Sequence, residues 1–347
     1  MKILAIADLP NPEQDLLECL KENLEKNQEK FDVVLVGGIL NPYSLYRTNR
    51  ESSKIIEIKR IVEEKLAEKA ESLDQIVREV ATQGGFFTKF ENLEEFHEAK
   101  EIIEELEKRM EDYYKKAKKS LDALGIRYFV IPGIDNLGML EKYFPEQLIH
   151  KKVVEIDQPQ KLMIAGYGGV YLFPKIYLPF RICMQKEEAE QREDGIYLHK
   201  ADSFDFFVSL EEKGKEPDVV FSYWPPFGIN DKVKNENYGS FGLRASLDKI
   251  KPDLWIACCT LGNEKNMNAI PIAIDRYKSH DLVVSSGSLS PLYERFPGNF
   301  VVVELTEESK KANFFEINFD GKYDIRKKKE VSLENGVLTT KEFLTSE

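Results

Sequence analysis

The stretch RYFVIPGIDN, residues 127–136, decides the fold of this chain. After Arg127 it runs through aromatic and β-branched residues, the pattern of a buried strand, and Pro132-Gly133 then ends the strand in a turn. Two upstream stretches repeat the arrangement, KILAIAD at 2–8 and FDVVLVGG at 31–38. Helical patterns at 11–30 and 113–125 precede the second and third strands. Strands that alternate with helices predict a parallel sheet built from βαβ units.

Residues 45–115 form an insertion between the second and third strands that is far longer than an ordinary crossover. Apolar residues three, four or seven apart predict amphipathic helices over 53–82 and 92–115. Gln83-Gly84-Gly85 breaks the pattern between them, so we predict a helical hairpin that folds over the core. Its acidic face either is simply solvated or binds a protein partner or a second copy of the chain.

Shorter strand candidates after residue 150 indicate a second sheet. We therefore expect a core made of 1–44 and 116–338, and a mobile tail over 339–347. The candidates share short, apolar, β-branched sequences, and they are 151–156, 161–166, 170–173, 219–223, 254–258, 282–285 and 300–305.

Composition excludes several classes of function. The 347 residues carry 49 Lys plus Arg against 61 Asp plus Glu, a net charge of −12 that repels phosphate backbones, so nucleic-acid binding is not expected. No apolar run approaches the ~20 residues of a membrane span, and the first residues lack the apolar region of a signal peptide. We expect a cytoplasmic protein. The basic run 326–329 is expected to be a solvated strand edge.

Glycine and polar residues follow the predicted strands at the points where they end. In α/β folds the carboxyl ends of parallel strands are where sites assemble. The strand-end residues are Asp8, Gly37-Gly38, Gly133 to Asn136, Tyr223 to Pro226, Cys258-Cys259 and Gly287-Ser288.

In order and spacing these residues resemble the calcineurin-like metallophosphoesterase family. Its marks are D-x-H, G-D, G-N-H-D, an H-x-P-P-type stretch, G-H-x-H and a late N-x-G-S. FVIPGIDN at 129–136 resembles the strand that leads into G-N-H-D, and LDKIKPDLWIACCTL at 247–261 resembles the helix and strand that lead into G-H-x-H. The resemblance implies an α/β fold, a four-layer sandwich of two mixed β-sheets flanked by helices. It also implies phosphoester hydrolysis at two divalent metals.

This sequence departs from the family at the residues that would hold those metals. Asp8 keeps the aspartate of D-x-H, whereas the bridging aspartate of G-D is replaced by Gly38. Asp8 and Asn136 are the remaining candidate ligands, too few for two ions that each need four to six. The other replaced positions are Pro10, Ile134, Asp135 and Asn136 of the first and third motifs, Tyr223 before the Pro-Pro pair, and Cys258, Cys259 and Leu261 of G-H-x-H.

The histidines and cysteines do not restore a metal site. None of the four histidines, His97, His150, His199 and His280, occupies a family position, and we expect each to be a surface or partly buried residue. The Cys258-Cys259 pair ends an apolar strand. It either packs as inert small side chains or supplies a thiolate for redox or soft-metal chemistry.

The sequence therefore predicts a pseudoenzyme with no assigned catalytic residue and no cofactor, which binds a protein partner or dimerises through its insertion. One alternative is a phosphoesterase with a single metal such as Mn²⁺, or with Asp8, Asp135 and Asn136 as acid and base. Another is a small-molecule or nucleotide sensor without turnover. A cleft filled by Ile134, Tyr223 and Leu261 favours the pseudoenzyme, and oxygens that converge on an open hole favour the hydrolase.

Overall fold

The fold is taken from a computed structural model. It describes residues 1–9, 16–26, 31–40, 94–133, 137–157, 159–169, 187–192, 195–229, 231–233, 236–258, 274–277, 281–287, 289, 298–319 and 323–343.

Seventeen strands and five helices lie within these described ranges. The helices are α1 (Leu16–Lys26), α2 (Glu94–Ala123), α3 (Leu137–Tyr143), α4 (Asp202–Glu212) and α5 (Phe241–Ile250). The strands are β1 (Lys2–Leu9), β2 (Val33–Leu40), β3 (Arg127–Ile131), β4 (Lys152–Ile156), β5 (Leu162–Tyr167), β6 (Glu187–Arg192), β7 (Gly195–Ala201), β8 (Val219–Ser222), β9 (Lys232–Val233), β10 (Glu236–Asn237), β11 (Leu254–Ala257), β12 (Ile274–Tyr277), β13 (Asp281–Ser285), β14 (Gly298–Leu305), β15 (Ser309–Phe319), β16 (Tyr323–Glu334) and β17 (Val337–Glu342).

Two large mixed sheets organise the chain. The larger has the order β17-β16-β15-β14-β1-β2-β3, in which β1, β2 and β3 are parallel and the rest form an antiparallel meander. The smaller has the order β12-β13-β11-β8-β5-β4, with four parallel central strands and an antiparallel strand at each end. The parallel start predicted from 2–8, 31–38 and 127–136 is confirmed.

The two sheets pack face to face, and helices cover their outer faces. Side chains alternate along each strand, so Ile3 of β1 shares a buried cluster with Ile164 and Ile256 of the smaller sheet, while Leu4 faces the other way. On that outer side Leu4 lies in the cluster that contains Tyr114 of α2. Since α4 and α5 cover the smaller sheet, the predicted four-layer sandwich of two mixed sheets flanked by helices is confirmed.

Helix α2 corrects the expected boundary between insertion and core. The helices predicted over 92–115 and 113–125 form one continuous helix, so the boundary at 115 falls inside α2. Its buried residues Leu106, Met110, Tyr113 and Leu121 recur at helical spacing and pack on the larger sheet. Residues 45–93, including the first predicted helix of the hairpin, lie outside the described residues. None of the helices in the described ranges is long and apolar enough to cross a membrane.

One strand assignment and part of the expected tail also differ from expectation. Residues 300–305, predicted for the second sheet, lie in β14 and pair with β1 of the larger sheet. The basic run 326–329 lies in β16 and pairs on one side with β15, but of the run only Lys329 has a partner in β17. The prediction of a strand edge is therefore confirmed for Arg326 and Lys327 within the described strands. Residues 339–342 of the expected tail lie in β17. The predicted strand at 170–173 falls outside the described residues.

Candidate functional site

Asp8 stands at the end of β1 in an unusual backbone conformation. Its φ is +49°, and the pairing with β2 shifts register between Ala7 and Leu9. Only 9% of Asp8 is exposed. A positive φ costs an ordinary residue free energy, so the surrounding structure must hold Asp8 in place. At the end of β2, Gly38 also has a positive φ, of +77°, and a glycine accepts that conformation without strain.

Tyr223 reaches Asp8 from the opposite sheet. It directly follows β8, and its hydroxyl donates a hydrogen bond to Oδ1 of Asp8 at 3.0 Å. Tyr223 is 1% exposed, and its ring lies against Gly133, where a Cβ would be 2.8 Å from Cζ of Tyr223. Tyr223, which stands at the family's histidine position, therefore contacts Asp8 directly. Its phenol ring occupies the space between the two sheets.

Cys258 fills the adjoining space at the end of β11. A Cβ on Gly37 would lie 2.6 Å from Cβ of Cys258, so only a glycine permits this close approach. Burial raises the pKa of the Cys258 thiol, and the negative charge of Asp8 raises it further, whereas a hydrogen bond with Ser286 opposes the rise. The thiol is therefore neutral at physiological pH and a poor nucleophile or metal ligand.

Tyr113 of α2 contacts the carboxyl ends of both β1 and β2. Its hydroxyl donates a hydrogen bond to the carbonyl oxygen of Leu9 and lies 3.4 Å from that of Ile39. Tyr113 is buried. The sequence placed Tyr113 on a helix but carried no signal for this contact, because more than 70 residues separate Tyr113 from Ile39 and more than 100 separate it from Leu9. The helix that leaves the insertion thereby holds the ends of both strands.

A glycine turn after β5 supports Pro132 and Gly133 from the other side. The Gly169 N–H donates to the Pro132 carbonyl oxygen at 2.6 Å, and the Gly168 N–H donates to Nδ1 of His150 at 3.0 Å. Since Nδ1 accepts, neutral His150 carries its proton on Nε2. Burial, together with the positive charges of Lys151 and Lys152, lowers the pKa of His150 to about 4, although the nearby Asp202 opposes the shift.

The described part of the site contains few metal ligands. No group of three or more His, Cys, Asp or Glu side chains that could hold a metal occurs among the described residues. Gly38 has no side chain where the family's bridging carboxylate would stand, and the Asp8 carboxylate accepts the Tyr223 hydroxyl. These residues do not fit a dinuclear metal centre. The other predicted site positions, Pro10, Ile134, Asp135, Asn136, Cys259 and Leu261, lie outside the described residues.

The described histidines stand elsewhere. His150 lies between α3 and β4, and His199 is exposed on β7, where Nε2 is 4.0 Å from a carboxylate oxygen of Glu190. The side chains of His97 and His280 are outside the described residues.

Comparison with known proteins gives distant structural neighbours. No family model matches the chain, and no curated protein matches it. The crystal structure of Vps29 from Chaetomium thermophilum is 10% identical, with a TM-score of 0.37 over 96% of this chain and 98% of that one. A single mutant of Vps29 from Entamoeba histolytica is 11% identical, with a TM-score of 0.36 over 94% of this chain and 98% of that one. Similarity at this level says nothing about function, which must be argued from the residues of the site.

Proposed function

We propose that the chain is a non-catalytic binding or scaffold protein built on the calcineurin-like metallophosphoesterase fold. The observation that carries the proposal is the hydrogen bond between the Tyr223 hydroxyl and the Asp8 carboxylate, made by a ring that packs against Gly133. The one acidic side chain kept from the family's ligand set is thus already bound by a neutral group of the protein.

The chemistry of the neighbouring positions supports this proposal. Two-metal hydrolysis needs carboxylate and imidazole ligands around a bridging water. At the corresponding places the chain offers Gly38, the Tyr223 phenol and the neutral thiol of Cys258. Packed side chains also avoid the repulsion that a cluster of carboxylates without its ions would cause. The fold can therefore be stable without metal.

The proposal is tested by metal content and turnover measured on the same samples. Purified protein is soaked in Mn²⁺, desalted and analysed by mass spectrometry for metal, and hydrolysis of a chromogenic phosphodiester is followed in parallel. We expect less than about a tenth of an equivalent of metal, because a stable site needs more ligands than remain, and no turnover above buffer. The matched control is Asp8→Ala, which should behave as the unaltered protein does.

One observation favours the hydrolase as a second candidate. Asp8 is held at positive φ, and such backbone strain clusters at functional sites. If the chain hydrolyses phosphodiesters with a single metal, or with Asp8, Asp135 and Asn136 as acid and base, turnover should be measurable. In that case Asp8→Ala should abolish it.

The insertion is proposed as the surface for a partner or a second copy. Because α2 contributes Leu106, Met110 and Tyr113 to the core, a deletion through residue 115 would damage the fold. A deletion of 51–90, closed by a glycine-serine linker, spares these residues. Light scattering should then show the full chain as a dimer and the deletion variant as a monomer; equal subunit numbers in the two proteins would contradict dimerisation through the insertion.

A further inference from the structure

His150 holds the glycine turn that follows β5 through a bond that depends on its protonation state. The Gly168 N–H donates to Nδ1 of His150 at 3.0 Å. A backbone N–H can only donate, so Nδ1 carries no proton and the bond exists only while the imidazole is neutral. The imidazole is partly buried, and its centroid lies 5.4 Å from that of the Tyr167 ring. One titratable side chain therefore fixes the position of the turn.

The same turn packs closely on the end of β3. The Gly169 N–H donates to the Pro132 carbonyl oxygen at 2.6 Å. Gly168 lies so close to the Pro132 ring that a Cβ there would be 2.6 Å from Cγ of the proline. Gly169 has a φ of +98°, a conformation that a glycine adopts without strain. Through these two consecutive glycines, His150 positions Pro132.

Pro132 leads directly into the contact that fills the site formed by Asp8, Tyr223 and Cys258. The next residue, Gly133, lies against the ring of Tyr223, whose hydroxyl donates to Asp8. The N–H of Tyr223 donates to the carbonyl oxygen of the last residue of β5, immediately before the turn, at 3.2 Å. A displacement of the turn would therefore move two supports of Tyr223 at once.

The charged groups around His150 oppose its protonation in the folded chain. Lys151 and Lys152 follow it directly, and the titratable phenol of Tyr167 faces it from β5. The Asp202 carboxylate, at the start of α4, favours the charged imidazole but already pairs with Nζ of Lys151 at 3.3 Å. Burial and the two lysines outweigh Asp202 and lower the pKa of His150 to about 4. The folded chain thus holds the imidazole neutral.

We propose that His150 is a pH-sensitive switch, whose protonation releases the glycine turn from Pro132 and opens the site around Asp8. A protonated imidazole carries a proton on both nitrogens, so its Nδ1–H would face the Gly168 N–H and repel it. In the opened turn the imidazole regains water, and its pKa returns to the ordinary value of about 6.5. The open state then binds protons more tightly than the closed one, so opening becomes more favourable as the pH falls below 6.5. The switch does not depend on whether the site is catalytic.

Hydrogen exchange of the turn amides measures the opening. Exchange at Gly168 and Gly169 is followed by NMR at pH 7 and pH 5 in full-length protein with isotope-labelled glycine, and each rate is divided by the intrinsic rate at that pH. With a pKa of about 4 in the closed state and 6.5 in the open one, the corrected rate should rise about 20-fold from pH 7 to pH 5. Exchange in β14, followed by mass spectrometry, should stay slower than at the turn, because the opening is local.

Two variants assign the rise to His150. His150→Asn places an amide oxygen close to the position of Nδ1 and does not titrate, so its corrected rate should rise less than about threefold. His150→Gln, a second variant that does not titrate, should also lose the rise. The matched control is His199→Asn, which removes an exposed histidine on β7 and should keep the rise of about 20-fold.

Access to the site has its own readout in the thiol of Cys258. The full chain is treated with a dipyridyl disulfide, which labels thiols at acid as well as neutral pH, and fragment mass spectrometry assigns the label to Cys258. Its labelling rate is divided by that of urea-unfolded protein at the same pH. This ratio should rise at least about tenfold from pH 7 to pH 5 in the unaltered chain, and less than about threefold in His150→Asn.

A corrected exchange rate at the turn that stays constant with pH would overturn the proposal, and so would an equal rise in His150→Asn. Faster exchange at the turn with an unchanged labelling ratio at Cys258 would overturn the link between the turn and the site. Equal exchange rates in the turn and β14 at pH 5 would show global unfolding in place of a local switch. The unaltered chain alone decides the first of these results, whether or not the variants fold.

Discussion

Replacing Gly133 with alanine should destabilise the chain through its contact with Tyr223. The new Cβ would lie 2.8 Å from Cζ and 2.9 Å from Cδ2 of a ring that is 1% exposed. Ordinary carbon contacts are about 3.5–4.0 Å, so the ring would have to move by roughly 1 Å. Overpacking of this kind costs about 1–3 kcal/mol, and loss of the hydrogen bond to Asp8 adds about 1 kcal/mol. We expect Gly133→Ala to lower the free energy of unfolding by about 2–4 kcal/mol.

A double-mutant cycle assigns this cost to the tyrosine. Tyr223→Ala removes the ring and costs about 3–5 kcal/mol by itself. In that background Gly133→Ala has nothing to displace, so it should cost less than about 1 kcal/mol, which gives a coupling of at least about 1–2 kcal/mol. Urea unfolding of the four proteins measures these free energies. Additive effects would show that the ring does not occupy the space beside Gly133, and would refute the reasoning.

Three further results are expected. The pKa of His150 is about 4 in the folded chain and about 6.5 when unfolded, so the contribution of the neutral imidazole to stability is full above pH 6.5 and is lost as the pH falls towards 4. The free energy of unfolding of His150→Gln should therefore change less steeply with pH, by up to about 1.4 kcal/mol per pH unit, as urea unfolding at several pH values can measure. Equal slopes in the two proteins would contradict this. Cys258 should resist alkylation in the native protein and react after unfolding in urea, as peptide mass spectrometry can show. Glu187 accepts hydrogen bonds from the Phe241 N–H and the Ser240 hydroxyl at the start of α5. Glu187→Gln should therefore lower the free energy of unfolding in urea by about 1 kcal/mol. The control Glu188→Gln, at an exposed neighbouring residue, should change it by almost nothing.

The pattern of apolar residues within a short stretch was enough to predict individual buried strands. Buried parallel strands such as β1 and β2 are apolar on both faces, and that pattern is visible without a structure. Sheet membership is not local. Residues 300–305 read as a strand, but nothing in them reveals that they pair with β1 rather than with the second sheet.

Charge patterns show which residues meet water but not which opposite charges pair with them. The basic run 326–329 was predicted to lie at a strand edge because of its lysines, and β17 pairs with Lys329 alone of the run. The sequence did not show that acids would pair with these lysines, as Glu330 does with Lys327 and Glu342 with Lys329.

The sequence predicted where the candidate site lies but only some of the features within it. Asp8, Tyr223 and Cys258 could be placed at strand ends from the order of the motifs. Their contacts could not be predicted, because Tyr223 meets Asp8 across 215 positions of the chain. The sequence did not predict the role of Tyr113, because a tyrosine on an amphipathic helix is expected to be an ordinary core residue. Its hydrogen bond to the Leu9 carbonyl depends on how α2 crosses the larger sheet.

Metal content after Mn²⁺ soaking, with phosphodiester turnover on the same sample, tests the central claim most directly. The proposed non-catalytic role predicts less than about a tenth of an equivalent of bound metal and no turnover. One or two equivalents of Mn²⁺, with hydrolysis that Asp8→Ala abolishes, would show that Tyr223 does not close the site and that the chain is a phosphoesterase of unconventional ligand set.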